Sequence, residues 1–271
     1  MLFVANSALD ISEIISEYPE ESIQRQLLNK MSESSEKYQY DNTEQLKFEL
    51  DMRKEIVDSA LNLNDSNLSF AVFRRSRCNP EYWTRTPNGG FLLNSGASSG
   101  AAISDIFTKG DYYATECATA MVIVYYKALL NIYGKDLFDK IFPRIYLMGW
   151  DITEPLLQEA GNMHNAKDML LGDRGYFNNP DYDRSSPEWE GENVIFLPDS
   201  LYYGHGIGIS NADKIISELN SRRQNGSTTS AYLLNAVGRP DFKKLSDVYQ
   251  TGYARRTAIV WKPFPEPVTA I

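Results

Sequence analysis

The chain has 271 residues, 42% of them apolar and 23% charged, with a formal net charge of −9. That is the balance of a globular protein able to bury one large core, as a single domain or at most two small ones. It argues against nucleic acid as a partner, which calls for a basic face; Arg74, Arg75 and Arg77 form the one dense basic spot and are too few to supply it.

In chain order, amphipathic helices are expected over 10–17 and 22–31, followed by a polar run over 32–41. A stronger helix spans 43–63, where Leu46, Leu50, Ile56, Val57, Ala60 and Leu61 recur at helical spacing. Residues 68–74 read as a strand, and 82–86 with 91–94 as a hairpin about Pro87-Asn88-Gly89-Gly90. A short helix over 101–109 closes at Gly110. The central element covers 115–133 and stops at Gly134. It is apolar nearly all round, as a helix inside the core would be. Short strands follow at 144–148, 175–177, 193–197 and 201–205, with helices over 211–222 and 228–236. The tail 262–271 carries three prolines and reads as extended. Together these elements give an α+β fold, a buried helix against a small, mostly antiparallel sheet.

Residues 1–6 lack a basic leader, and the most apolar window, 118–130, is shorter than a bilayer span and contains Lys127. No membrane association is expected, and the chain is expected to be cytoplasmic at synthesis. Two cysteines, Cys78 and Cys117, and two histidines, His164 and His205, cannot form a disulfide framework. A zinc site would consume nearly all four without the usual ligand spacing, so no metal and no cofactor is expected.

Cys117 is the candidate nucleophile. Thr115 reads as the helix N-cap, with Glu116 and Cys117 in the first turn. There the backbone amides and macrodipole favour a thiolate, and the same amides can hold an oxyanion. The alternative is a small apolar core residue, the usual fate of a free cysteine. His205 lies between Gly204 and Gly206, which leave its ring open to another chain; it reads equally as a histidine satisfied in a turn. Glu192 begins the apolar run 193–197 and is either a perturbed acid at the core's edge or a surface acid at a strand end. His164 sits in a polar loop. Cys78 follows arginines that could lower its pKa, but it precedes Asn79-Pro80 in a turn.

Three segments then carry a family resemblance. Tyr113-Ala114-Thr115-Glu116-Cys117-Ala118-Thr119-Ala120, Trp189-Glu190-Gly191-Glu192-Asn193-Val194-Ile195 and Gly204-His205-Gly206-Ile207-Gly208 resemble the spore-coat transglutaminases of endospore-forming bacteria. Residues 230–234 match as well. The resemblance implies a papain-like core within one domain over 1–250, with 251–271 as a C-terminal addition, extended or mobile. It implies a calcium-independent transfer of glutamine acyl groups to lysine amines through a cysteine thioester, on protein substrates of the spore coat. It gives Cys117 as nucleophile, Glu192 and His205 as its partners and Glu116 as a secondary acid. Phe70, Trp150 and Trp189 would line the site and keep water from competing with lysine. A papain-like peptidase or amidase using water is the alternative.

Overall fold

A computed structural model describes residues 1–260, with side chains through 252. The tail expected to be extended over 262–271 lies outside the described residues.

Helix α1 (Thr43–Asn64) begins at Asn42, whose side chain accepts from the Gln45 N–H. Helix α2 (Cys117–Tyr133) is packed against it and buries residues on every side, from Ala118 to Tyr133. It stops where Gly134 turns to a φ of 70°, a conformation that glycine adopts without a side-chain clash. Helix α3 (Phe242–Val260) closes the other side of α1. Tyr249 of α3 stacks on Tyr133 at 5.7 Å between ring centroids, and the Tyr133 hydroxyl donates to Leu245 O.

Five strands form the main sheet: β1 (Arg174–Asn178), β2 (Gly191–Phe196), β3 (Leu201–Gly204), β4 (Gly208–Asn211) and β5 (Tyr232–Leu233). They are antiparallel throughout, in the order β4-β3-β2-β1-β5. Side chains alternate between the two faces of a strand. Ile195 and Tyr203 join the main core with α2, whereas Phe177 and Val194 join a smaller core with Ile215 and Leu219 of the helix Ala212–Asn220. Both faces are therefore covered, which is why β2 is buried at every position, Glu192 and Asn193 included. The expected α+β class, a buried helix on an antiparallel sheet, is what the chain adopts.

Two parallel pairings complete the frame. Leu2–Val4 lies beside Tyr38–Tyr40 above the helix Ile23–Glu33, and Ser69–Phe70 lies beside Ala114–Thr115. The second pair sets Phe70 opposite Thr115, two residues before Cys117.

Several expectations are corrected. Residues 228–236, expected as a helix, contribute strand β5, because Asn178 and Phe177 pair with Tyr232 and Leu233. The polar run 32–41 contains a strand whose partner is the distant N-terminus. The strand expected over 68–74 is two residues long and then tightens into a 3-10 turn, Phe73–Arg75. Residues 251–260, expected to be extended or mobile, continue α3 past the boundary at 250.

Candidate active site

Cys117 is the first residue of α2 and is half-buried. The N-cap is Glu116, not Thr115, which is occupied in the parallel pairing. Both Glu116 carboxylate oxygens turn back on the helix and accept from Ala118 N and Thr119 N at 2.6 Å, and Oε1 also accepts from Thr119 Oγ1. This overturns the expectation that the helix end would favour a thiolate. Burial first, then the charges of Glu192 and Glu116, push the Cys117 thiol up to about 12. Asn193 opposes them, through its side-chain N–H, with Nδ2 3.4 Å from Cys117 Sγ, and through its backbone. The capped amides are also closed to an oxyanion. Among the described residues the Cys117 N–H is the leading amide of the helix left without a partner.

Glu192 is 3% exposed and stands on β2 opposite Phe177. Its Oε1 accepts from Gly206 N at 3.0 Å. Gly204 and Gly206 leave the space it fills: a Cβ at 204 would stand 2.8 Å from Glu192 Cγ, and one at 206 would stand 3.3 Å from Oε2. Burial raises this carboxyl to about 8; the Gly206 N–H lowers it and the Glu116 charge raises it further. Glu192 is thus mostly protonated at neutral pH and becomes a base just above it.

His205 lies in the turn joining β3 and β4 and is half-buried. Its Nε2 is 3.2 Å from Ser69 O and its Nδ1 is 3.1 Å from the Tyr203 hydroxyl. A carbonyl can only accept, so Nε2 carries the proton and Nδ1 accepts from Tyr203. Burial lowers His205 to about 4, against its backbone hydrogen bonds, so the ring is neutral near pH 7. Both ring nitrogens are engaged away from Cys117, and the ring ties Ser69–Phe70 to the glycine-rich turn.

The aromatic residues divide between two sides. Phe70, 37% exposed, lies 6.1 Å from the His205 ring and would meet a Cβ at Gly206 at 3.5 Å, so it flanks Glu192. Trp189 belongs to the small core on the Glu192 face of the sheet, with Arg222 over its ring at 4.6 Å. Trp150 lies on the other side, stacked under the Arg174 guanidinium at 4.1 Å. Elsewhere, His164 is exposed beside Glu159, and Cys78 is half-buried, its thiol pushed up to about 11 by burial that outweighs Arg85.

Sequence reasoning missed Asn193, Arg174, Tyr203 and Ser69. Asn193 had a usable signal: it follows Glu192 in a strand, so it must face the opposite way, toward α2. Ser69 contributes a carbonyl, which no side-chain pattern reveals. Among the described residues no cluster of three His, Cys, Asp or Glu side chains is arranged to hold a metal.

The model for the protein-glutamine gamma-glutamyltransferase family matches residues 1–249. The chain belongs to this transglutaminase family. A transglutaminase of Halalkalibacterium halodurans is 44% identical over 217 residues, 80% of this chain and 75% of that one. One from Bacillus cereus is 38% identical over 92% of this chain and 90% of its own length. A solved structure, a transglutaminase from Geobacillus stearothermophilus without its C-terminal extension, superposes with a TM-score of 0.72 at 44% identity. It covers 76% of this chain and 98% of that one. The chain is therefore a transferase acting between protein glutamine and lysine side chains.

Proposed function

We propose that this transglutaminase forms isopeptide crosslinks through a Cys117 thioester, without calcium, on spore-coat proteins. In the first half-reaction Cys117 Sγ attacks the glutamine carboxamide, the C–N bond breaks, and ammonia leaves with the thiol's proton. The Cys117 N–H donates to the oxyanion. In the second, a lysine ε-amine attacks the thioester; one ammonium proton passes to Glu192 and a second returns to the sulfur. The observation that carries this reading is the buried Glu192 carboxyl, held by Gly206 N–H and raised to about 8. A general base poised near the working pH removes a proton from an amine efficiently. His205, neutral and doubly bonded, positions the turn that holds Glu192. Phe70 and Trp189 on the Glu192 side shelter the lysine stem from water, and Trp150 flanks the other side. The coat role follows the resemblance of the three motifs and the Bacillus and Geobacillus origin of the relatives.

The test is incorporation of a fluorescent amine into casein, with ammonia release followed in parallel. Wild-type chain labels casein with and without a calcium chelator, and Cys117→Ala labels nothing. Ammonia release without labelling would show that water is the acceptor. Recovery of the chain from the coat fraction of sporulating cells tests the location, and its absence there would reject the coat role.

A further inference from the structure

Arg174 opens strand β1, is 2% exposed, and faces no carboxylate among the described residues. A buried guanidinium without an acid is costly unless other groups satisfy it. Its Nε donates to Ala160 O at 3.2 Å, and its Nη2 to Gly161 O at 3.1 Å and Asn162 O at 3.3 Å. The remaining arm, Nη1, donates to Asn193 Oδ1 at 3.0 Å. A guanidinium only donates, so the Asn193 atom it faces is the oxygen, and the amide nitrogen must point away from it. It points at Cys117 Sγ, 3.4 Å off. The backbone also ties this arrangement down: Arg174 pairs with Ile195 across the sheet and bridges to Gly238.

We propose that Arg174 is a positioning residue of the acyl transfer. Through Asn193 it aims an N–H at the Cys117 sulfur, and it sets a positive charge behind that sulfur, opposite the carboxylates of Glu116 and Glu192. The inference rests on Cys117 as the nucleophile. A hydrogen bond to the neutral thiol is weak, and the same bond to a sulfur carrying negative charge is strong. The relay therefore acts as the sulfur loses its proton. Of the groups around the sulfur, Asn193 favours its ionisation, while Glu192 and Glu116 oppose it.

The experiment uses the full chain on a Cys78→Ala background, so that Cys117 is the one thiol. Its alkylation by iodoacetamide is followed from about pH 7 to 10, alongside amine transfer to a glutamine peptide. Asn193→Ala is expected to slow alkylation at about pH 8, and kcat, by about tenfold, with KM for the peptide within about twofold. Arg174→Lys keeps a charge but loses the fork, and is expected to lower kcat similarly. The double variant should be no slower than Arg174→Lys alone by more than about twofold, as for residues acting in series. A wild-type alkylation profile in Asn193→Ala overturns the proposal, and so do multiplicative losses in the double variant. If Arg174→Lys does not fold, Asn193→Ala decides the matter alone, because it leaves the other contacts of Arg174 intact. Alkylation needs no acyl donor or acceptor, so its outcome is independent of whether amine or water ends the reaction.

Discussion

Asp173 and Glu192 are carboxyls at neighbouring strands of one sheet, 0% and 3% exposed, yet the fold holds them in opposite protonation states. Burial by itself raises both. At Asp173 that effect is overcome by Arg53, 2.7 Å from Oδ1, and by Arg239, which reaches both oxygens at 2.7 Å, with an N–H from Leu170 besides. Its pKa is lowered and it stays charged. Glu192 has one backbone N–H and another acid, Glu116, acting on it, and rises to about 8. Partner number, at equal burial, separates an acid that braces the fold from one that can move a proton. The chain carries the two devices side by side: Asp173 closes the structural network, and the next residue, Arg174, enters the active site.

Removing the proton acceptor is the severest test of that contrast. Glu192→Gln is expected to lower amine transfer by about 10²–10⁴-fold, the usual worth of a general base. The same change should make iodoacetamide alkylation of Cys117 several-fold faster at about pH 8, because a charge that raises the thiol is gone. A variant slow in both reactions would show that Glu192 supports the site structurally.

Asp173→Asn should act on folding instead. It leaves the buried Arg53 and the partly exposed Arg239 against a neutral group, at a cost of about 3–5 kcal/mol measured by urea denaturation. Activity of the fraction that folds should stay near wild type.

The pH dependence of stability should differ in sign between the two sites. Glu192 is raised from 4.5 to about 8, so its contribution is fully present below about pH 4.5 and is lost as pH rises through 8. Glu192→Gln should be more stable than wild type by about 2–4 kcal/mol at about pH 8 and no different at pH 4. Asp173, lowered, contributes above its ordinary range and loses that contribution as pH falls.

The smallest effect belongs to His205, lowered from 6.5 to about 4. A neutral native imidazole favours folding above pH 6.5, and that contribution fades as pH falls toward 4. Relative to His205→Gln, wild type should lose about 1–2 kcal/mol across this window, the half-buried ring being partly screened; the opposite contribution of Glu192 is common to both chains and cancels in the comparison. Melting temperatures at about pH 7 and 4.5 read the difference.

Strong local signals were legible in the sequence. The spacing of Leu46, Leu50, Ile56 and Ala60 predicted a helix within a residue of Thr43–Asn64, and the turn at Pro87-Asn88-Gly89-Gly90 predicted the Trp83–Arg85 and Phe91–Leu93 hairpin. The errors fall where distant partners decide. Residues 228–236 carry no propensity that announces an edge strand; pairing with Phe177 and Asn178 makes one. In the candidate site, the motifs single out Cys117, Glu192 and His205, and the fold groups Glu192 with Cys117 and with the turn that carries His205. Their charge states were not legible. The helix-end argument for a thiolate failed on Glu116, which reads as a first-turn acid and proves to be the cap. Around these residues, strand alternation after Glu192 could have pointed to Asn193, whereas the hydrogen-bond directions that involve Arg174 and Tyr203 are not visible before the sheet is assembled.

The Glu116 cap has a consequence for the lifetime of the enzyme. Peroxide attacks thiolates and largely ignores thiols, so a cysteine's survival depends on how seldom it ionises while idle. By covering the Ala118 and Thr119 amides, Glu116 withdraws the support that would ionise Cys117 in the absence of substrate. A sulfur held as the thiol between turnovers is expected to react slowly with peroxide, and Glu116→Gln should leave that protection partly intact because its amide oxygen can still cap one of the two N–H groups.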